Sequence, residues 1–295
     1  MPRFIYFIAA GGTFLPGAAL LALAVAARAV FSRRWIAALS IAMTVVGVVL
    51  IAISAEALAV WIYATWIACT LAWLFRGLPR NTRLKRTIDL AELTITFSAA
   101  AMAISYQLRP SLPPSIYPRL YIIGDSVSAG IGGEHGTTWP LIVATDHPDV
   151  HVIDLSRAGA TLASATRSLQ STPLADGLVF LEIGGNDLIG HASPDRFGQN
   201  LDALAQRLRG PGRQVVMLEL PLFPFDNAYG LQQRRIASKH GLLLIPRPCF
   251  THVLATPGAT VDGIHLSATG QRAMAQMVWE IVGPSLRVGT PTPFR

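Results

Sequence analysis

Four short polar clusters in the second half of this chain hold residue types that could carry out acyl transfer. Gly124-Asp125-Ser126-Val127-Ser128 follows an apolar run, and a serine leaving such a run into a glycine-containing turn is well placed as a nucleophile. Ser156-Arg157-Ala158-Gly159-Ala160-Thr161 holds a glycine whose backbone can approach a ligand closely and donate its N–H. Leu181-Glu182-Ile183-Gly184-Gly185-Asn186-Asp187 runs into a carboxamide able to donate to a developing oxyanion. In Val261-Asp262-Gly263-Ile264-His265-Leu266-Ser267, a histidine can take a serine proton and return it to a leaving group. The carboxylate three residues earlier can fix its tautomer. Singly, each cluster also has an ordinary structural meaning: turn chemistry for Gly-Asp-Ser, a helix cap at Thr161, an Asx turn at Asn186, a surface loop for Asp-x-x-His.

The elements that would position these clusters follow from the apolar pattern. Runs at Leu120–Ile123, Val150–Leu155, Leu178–Ile183, Gln214–Leu220 and Leu242–Ile245 have strand length. Stretches near Trp139–Thr145, Leu162–Leu169, Pro194–Leu208, Ala228–His240 and Ala268–Val282 read as helices. Continuous apolar strands separated by helices imply a parallel sheet covered on both faces. Ligands of such sheets bind at the carboxyl ends of the strands. Three of the clusters stand there, and the fourth precedes the final helix.

In chain order the clusters read Gly-Asp-Ser, Gly159, Gly-Gly-Asn-Asp and Asp-Gly-Ile-His. From about Leu120 to Val282 this order resembles the SGNH (GDSL-like) hydrolase family, and Leu-Glu-Ile-Gly-Gly-Asn-Asp is especially similar to its bacterial thioesterase/lysophospholipase branch. The resemblance implies an α/β, three-layer flavodoxin-like domain with a parallel five-stranded sheet. It implies Ser126 as nucleophile, His265 as base and Asp262 as the residue that orients the histidine. The backbone N–H groups of Ser126 and Gly159 and the side chain of Asn186 would then form the oxyanion hole. No cofactor or metal is implied. Val127 stands where the GDSL name expects leucine, an apolar exchange that touches no catalytic role. The G-x-S-x-G elbow of α/β-hydrolases is absent, because Ser128 occupies the position of its second glycine.

Composition is unevenly distributed over the 295 residues, of which 52% are hydrophobic and 14% charged. Residues 1–108 are nearly uninterrupted apolar runs and carry 9 Lys/Arg against 3 Asp/Glu, while residues 109–295 carry 15 against 14. All but one of the net +7 charges therefore belong to the first region, in the loops around its apolar segments, and the second half has no basic block that suits nucleic acid. Cys69 and Cys249 provide neither a disulfide framework nor a cysteine zinc site. His147 and His151 are four apart, but Pro148 between them argues against one helical, metal-binding face.

The first region reads as four membrane-spanning segments: Phe4 to Val30, Trp35 to Ser54, Ala57 to Phe75 and Ile88 to Leu108. Each approaches the roughly 20 residues that cross ~30 Å of hydrocarbon. A tight Ser54-Ala55-Glu56 connection predicts a helical hairpin of the second and third. Cations at Arg28, Arg33 and Arg34, and at Arg76, Arg80, Arg83, Lys85 and Arg86, assign two loops to the cytoplasm and the Glu56 connection to the outside. Asp89 and Glu92 suit either an intramembrane site or, more blandly, an interfacial first turn. Pro110, Pro113, Pro114 and Pro118 make an extended spacer. The expected division is a transmembrane helical region at 1–108, a linker at 109–119, a hydrolase domain at 120–284 and a tail at 285–295.

These readings converge on a membrane-anchored serine esterase that hydrolyses lipid or acylated-glycan esters through an acyl-enzyme. Its expected partners are a small-molecule or lipid acyl ester and, through residues 1–108, membrane lipids, with the catalytic domain on the extracytoplasmic side. An acyltransferase to an envelope polymer and a non-catalytic tethered binding module are the rival functions.

Overall fold

A computed structural model describes residues 3–31, 33–78, 81–112, 117–130 and 136–286. Arg80, Pro113, Pro114 and residues 287–295 of the expected tail lie outside the described residues. The chain divides into two compact units. One comprises Met1–Tyr6, Arg109–Pro221 and Gln232–Arg295; the other comprises Phe7–Leu108 and Leu222–Leu231.

The first unit is built on five parallel strands: β1 (Arg119–Gly124), β2 (His151–Asp154), β3 (Gly177–Glu182), β4 (Arg213–Leu218) and β5 (Leu243–Ile245), in the order β2-β1-β3-β4-β5. All six residues of β3 are buried, as its apolar run requires at the centre of a sheet covered on both faces. One face presents Leu120, Ile122, Leu178, Phe180, Val216 and Leu218 to α7 (Trp139–Asp146), α12 (Arg247–Ala255) and α13 (Ala268–Val282). There Trp139 meets Phe180 edge to face at 5.4 Å. The alternate strand residues Tyr121, Ile123, Val179, Leu181, Val215 and Met217 point to the opposite face and are also buried. Helices α8 (Leu162–Ser168) and α10 (Pro194–Leu208) pack against each other, and Phe197, Leu201 and Leu204 of α10 are buried.

The five expected strands are present within two residues at each end, and the five expected helices closely match α7, α8, α10, α11 (Asn227–His240) and α13. Helix α12 is additional to the expected helices. Pro248 lies in the first turn of α12, where its missing N–H costs nothing. Arg247, at the start of that helix, pairs with buried Glu219 at 3.0 Å, and Arg234 of α11 reaches the same carboxylate at 2.8 Å.

The second unit differs from expectation in three ways. Among the described residues two helices are long and apolar enough to cross a membrane, α3 (Arg34–Ala52) and α5 (Thr82–Ser105). A third crossing requires counting α1 (Arg3–Ala9) and α2 (Phe14–Val30) as one span bent by 74°. In place of the four expected spans, the described residues therefore show two helices of spanning length, or three with the bent pair. The first segment breaks at Gly11, whose φ of +80° is open to glycine and whose missing Cβ would meet the Glu56 carboxylate at 2.9 Å. The third segment shortens to α4 (Val60–Leu74), 15 residues, which at 1.5 Å each reach only ~22 Å.

The second and third segments, expected as a helical hairpin, do not pack closely on each other among the described residues. Helix α3 packs on α2, which also packs on α5, and α5 packs on α4. Gly17 and Gly47 let α2 and α3 approach closely, since a Cβ on Gly17 would lie 2.7 Å from the Gly47 carbonyl oxygen. The connection from Ser54 to Ala59 is non-helical, and Ser54–Leu58 are buried.

Finally, Asp89 and Glu92 do not lie in a solvated first turn. Asn81 caps α5 six residues upstream of Thr87, accepting from Arg83 N at 2.8 Å, so both acids fall inside the helix and are buried. Glu92 Oε1 accepts from Thr70 Oγ1 at 3.0 Å and from Trp66 Nε1 at 3.3 Å. Asp89 pairs with Arg76 at 2.7 Å, so one of the cations assigned to orientation already has a partner.

Candidate active site

The chain runs from β1 to β2 on one side and later places β3 on the other side of β1. This reversal opens a crevice beyond the carboxyl ends of β1 and β3, the usual ligand position in such sheets. Gly124 ends β1, and Asp125 caps the one-turn helix α6 (Ser126–Ala129), its Oδ1 accepting from Val127 N at 3.1 Å. Ser126 is the first residue of that helix, and Oγ lies 3.1 Å from Nε2 of His265.

The loop before α13 holds its histidine by local bonds. Asp262 Oδ1 accepts from the N–H groups of Ile264 at 2.9 Å and His265 at 2.8 Å. Its Oδ2 lies 2.6 Å from His265 Nδ1. Ser267 caps α13 through Gly270 N, and Val261 N donates to His265 O at 3.0 Å. The imidazole hydrogen bond, followed by those two backbone donors, holds the Asp262 carboxyl well below the usual carboxylate range. Asp262 therefore stays ionised and accepts from Nδ1–H, which leaves Nε2 as the acceptor that faces Ser126. Tyr6, grouped with this unit, donates from its hydroxyl to Gly263 O at 3.0 Å.

On the β3 side, Gly184 has φ +117° and is packed by Phe197 and Leu220, both within 3.1 Å of where a Cβ would stand. This turn starts the short helix α9 (Gly185–Ile189) and projects Asn186. Nδ2 of Asn186 donates to Ala160 O at 3.0 Å and to Asp125 Oδ2 at 3.3 Å. Both amide hydrogens are thus occupied. Asp187 Oδ2 accepts from Leu162 N at 2.9 Å, tying the start of α8 to the Asn186 turn. Thr161 and Ser164 form a reciprocal capping box there. Gly159 sits just before, exposed, at φ +73°, with nothing within 4 Å of a Cβ position. The loop is bonded back to β1 through Arg157 N and Gly124 O at 3.1 Å. A cleft of about 410 Å³ opens beside it, lined by Ser156, Arg157, Gly159, Ala160, Ser164 and Ser168 among others.

Sequence reasoning singled out Ser126, Gly159, Asn186, Asp262 and His265. Ser126, His265 and Asp262 form one chain of hydrogen bonds, while Asn186 donates to Asp125, the neighbour of Ser126, and to Ala160 O, the neighbour of Gly159. It assigned no role to Asp125, Asp187, Glu182 or Tyr6, although the first three stand inside the motifs. Burial chiefly pushes Asp125 up to about 6 and Asp187 above its usual value. Among the described residues no group of three or more His, Cys, Asp and Glu side chains could hold a metal ion. His147 stacks on Trp279 with ring centroids 3.4 Å apart.

Residues 122–273 match the GDSL-like Lipase/Acylhydrolase family, a span that includes all five site residues. The chain is 28% identical over 183 residues to Esterase TesA of Pseudomonas aeruginosa, covering 57% of this chain and 89% of that protein. It is 28% identical over 176 residues to an arylesterase of Vibrio mimicus, covering 54% and 86% respectively. The crystal structure of the psychrotrophic esterase EstA from Pseudoalteromonas sp. shares the fold, with a TM-score of 0.50 and 17% identity over 56% of this chain and 97% of that one. The matched residues make up more than half of the chain, and the chain belongs to the GDSL-like lipase/acylhydrolase (SGNH) family, as a serine hydrolase of carboxylic esters.

Proposed function

We propose that Ser126, His265 and Asp262 are the catalytic triad of a membrane-anchored esterase, and that Ser126 N–H, Gly159 N–H and the Asn186 amide are its oxyanion donors. The observation that carries this reading is the unbroken chain from Asp262 through His265 to Ser126, at 2.6 and 3.1 Å. His265 Nε2 takes the Ser126 proton as Oγ attacks the ester carbonyl. The imidazolium, stabilised by ionised Asp262, then protonates the leaving alcohol. Water, activated by the same nitrogen, attacks the acyl-enzyme and releases the acid.

The substrate in this reading is a lipid or acylated-glycan ester at the membrane face. Helices α3 and α5 support the anchor by length and composition. The non-helical stretch Ser54–Ala59, buried from Ser54 to Leu58 and followed by α4, supplies a return crossing, because irregular backbone is tolerated at membrane depth when packed in protein. Arg28, Arg33, Arg83, Lys85 and Arg86 then lie inside and the hydrolase domain outside. The test is hydrolysis of p-nitrophenyl esters of graded acyl length by the full chain in detergent, with an acylated glycan in parallel. Turnover of either class, lost in Ser126→Ala, is the expected result. Absence of turnover on every ester would leave a non-catalytic module.

A further inference from the structure

Beneath the nucleophile turn lies a buried acid that acyl transfer does not use. Glu182 closes β3, is 2% exposed and stands directly across the ladder from Gly124. Its Oε2 accepts a 2.7 Å hydrogen bond from Oγ of Ser128, which is fully buried. A Cβ on Gly124 would come within 2.3 Å of Ser128 Oγ and 3.0 Å of Glu182 Oε2, so only glycine fits above this bond. The bond joins the turn that carries Ser126 to the strand whose next turn carries Asn186. A second, weaker tie runs from Asn186 Nδ2 to Asp125 Oδ2 at 3.3 Å.

We propose that Glu182 is a positioning residue that works as a neutral carboxylic acid, holding Ser128, and through it the Ser126 turn, in register with the strand leading to Asn186. The role assigned to Ser126 rests on the function proposed above. The groups facing Glu182 are the Asp125 carboxyl, the Asp125 N–H and the Ser128 hydroxyl, and among the described residues no cation pairs with it. Asp125 in turn faces Asp187 and His265. A carboxylate this buried, next to a second carboxyl, is disfavoured against its protonated form. Burial first, and Asp125 second, hold Glu182 well above the usual carboxylate range.

The sign of the pH effect follows. Because folding raises the affinity of Glu182 for its proton, the stability it contributes is complete below the unfolded value near 4.5. That stability is lost as the pH rises through the folded value. Glutamine keeps the acceptor and is neutral at every pH, so Glu182→Gln should gain on wild type as the pH rises.

The experiment measures Tm, and kcat and KM on p-nitrophenyl acetate, for the full chain in detergent as wild type, Glu182→Gln, Glu182→Ala and Ser128→Ala. Expected for Glu182→Gln is kcat within about threefold of wild type, and for the two alanine variants a fall of roughly tenfold or more with KM little changed. The Tm of Glu182→Gln minus that of wild type should rise steadily between about pH 5 and pH 8. A Tm difference that does not vary with pH, or a glutamine variant as slow as alanine, overturns the proposal. If the alanine variants fail to fold, the glutamine pH series still decides. Should wild type hydrolyse no ester, the proposed function fails while the Tm series continues to report on Glu182.

Discussion

In the sheet unit three of the buried acids, Asp125, Glu182 and Asp187, gather at the ends of two adjacent strands, whereas in the helical unit Asp89 and Glu92 lie one turn apart along α5. The first group surrounds a serine that touches a histidine; the second is bonded to Arg76, Thr70 and Trp66 inside the bundle. Their outer surfaces differ as well. Helix α3 exposes Leu39, Ile41, Val45, Val46, Val48 and Val49, while residues 117–221 and 232–286 expose, among the described large apolar side chains, only Leu141, Ile189, Val261 and Ile264. Buried polarity alone does not mark chemistry. In the proposed function it accompanies chemistry where strand ends gather Ser126, His265 and Asn186 at one crevice, and it serves packing where neighbouring side chains satisfy it, as at Glu92 and Glu219.

The sharpest way to break this contrast is at His265. His265→Ala should lower kcat on soluble esters by roughly 10⁴–10⁶-fold, since triad members act as a unit. Steady-state kinetics on p-nitrophenyl acetate reads the effect, and a loss of less than about tenfold would remove His265 from the chemistry. Asn186→Ala should cost roughly 10²–10³-fold in kcat with little change in KM, as for a donor used chiefly in the transition state. An unchanged kcat would leave Asn186 as a link between Asp125 and Ala160 only.

The helical unit should respond in the opposite sense. Glu92→Leu removes the acceptor shared by Thr70 and Trp66, and an unsatisfied buried donor costs about 1–3 kcal/mol. We expect a lower Tm in detergent with kcat on a soluble ester unchanged, measured on the same preparation. A collapse of kcat in protein that remains folded would erase the distinction between the units. The mildest perturbation is a reporter fused after Leu108. Alkaline phosphatase should be active and GFP dark there, and the reverse result would put the hydrolase domain in the cytoplasm.

Legibility followed the same division. Strand and helix limits in the sheet unit were readable because each apolar run is short and is punctuated by Gly, Asp or Ser. Asp262 and His265 were readable because their bond is local, three residues apart. The Glu182–Ser128 bond was not, since it spans 54 positions and nothing in either segment names the other. In the helical unit, length and apolarity were visible in the sequence, but the packing partners of α2 and α4 were not. Those depend on Gly17 meeting Gly47 and on Glu92 meeting Thr70, contacts without a local signature. The shortened α4 and the bend at Gly11 share that cause, because the buried Ser54–Leu58 stretch meets the Gly11 turn from 43 positions away, where Ser54 Oγ donates to Gly11 O.

The central claim is that Ser126 is the nucleophile, and a covalent probe tests it most directly. A fluorophosphonate reacts with a serine activated by its histidine and leaves a stable phosphonyl ester, which can be located by mass spectrometry of the digested full chain. The account predicts labelling at Ser126 in wild type and none in Ser126→Ala or after heat denaturation. Labelling that persists in folded Ser126→Ala, or that maps to another residue in wild type, would contradict it.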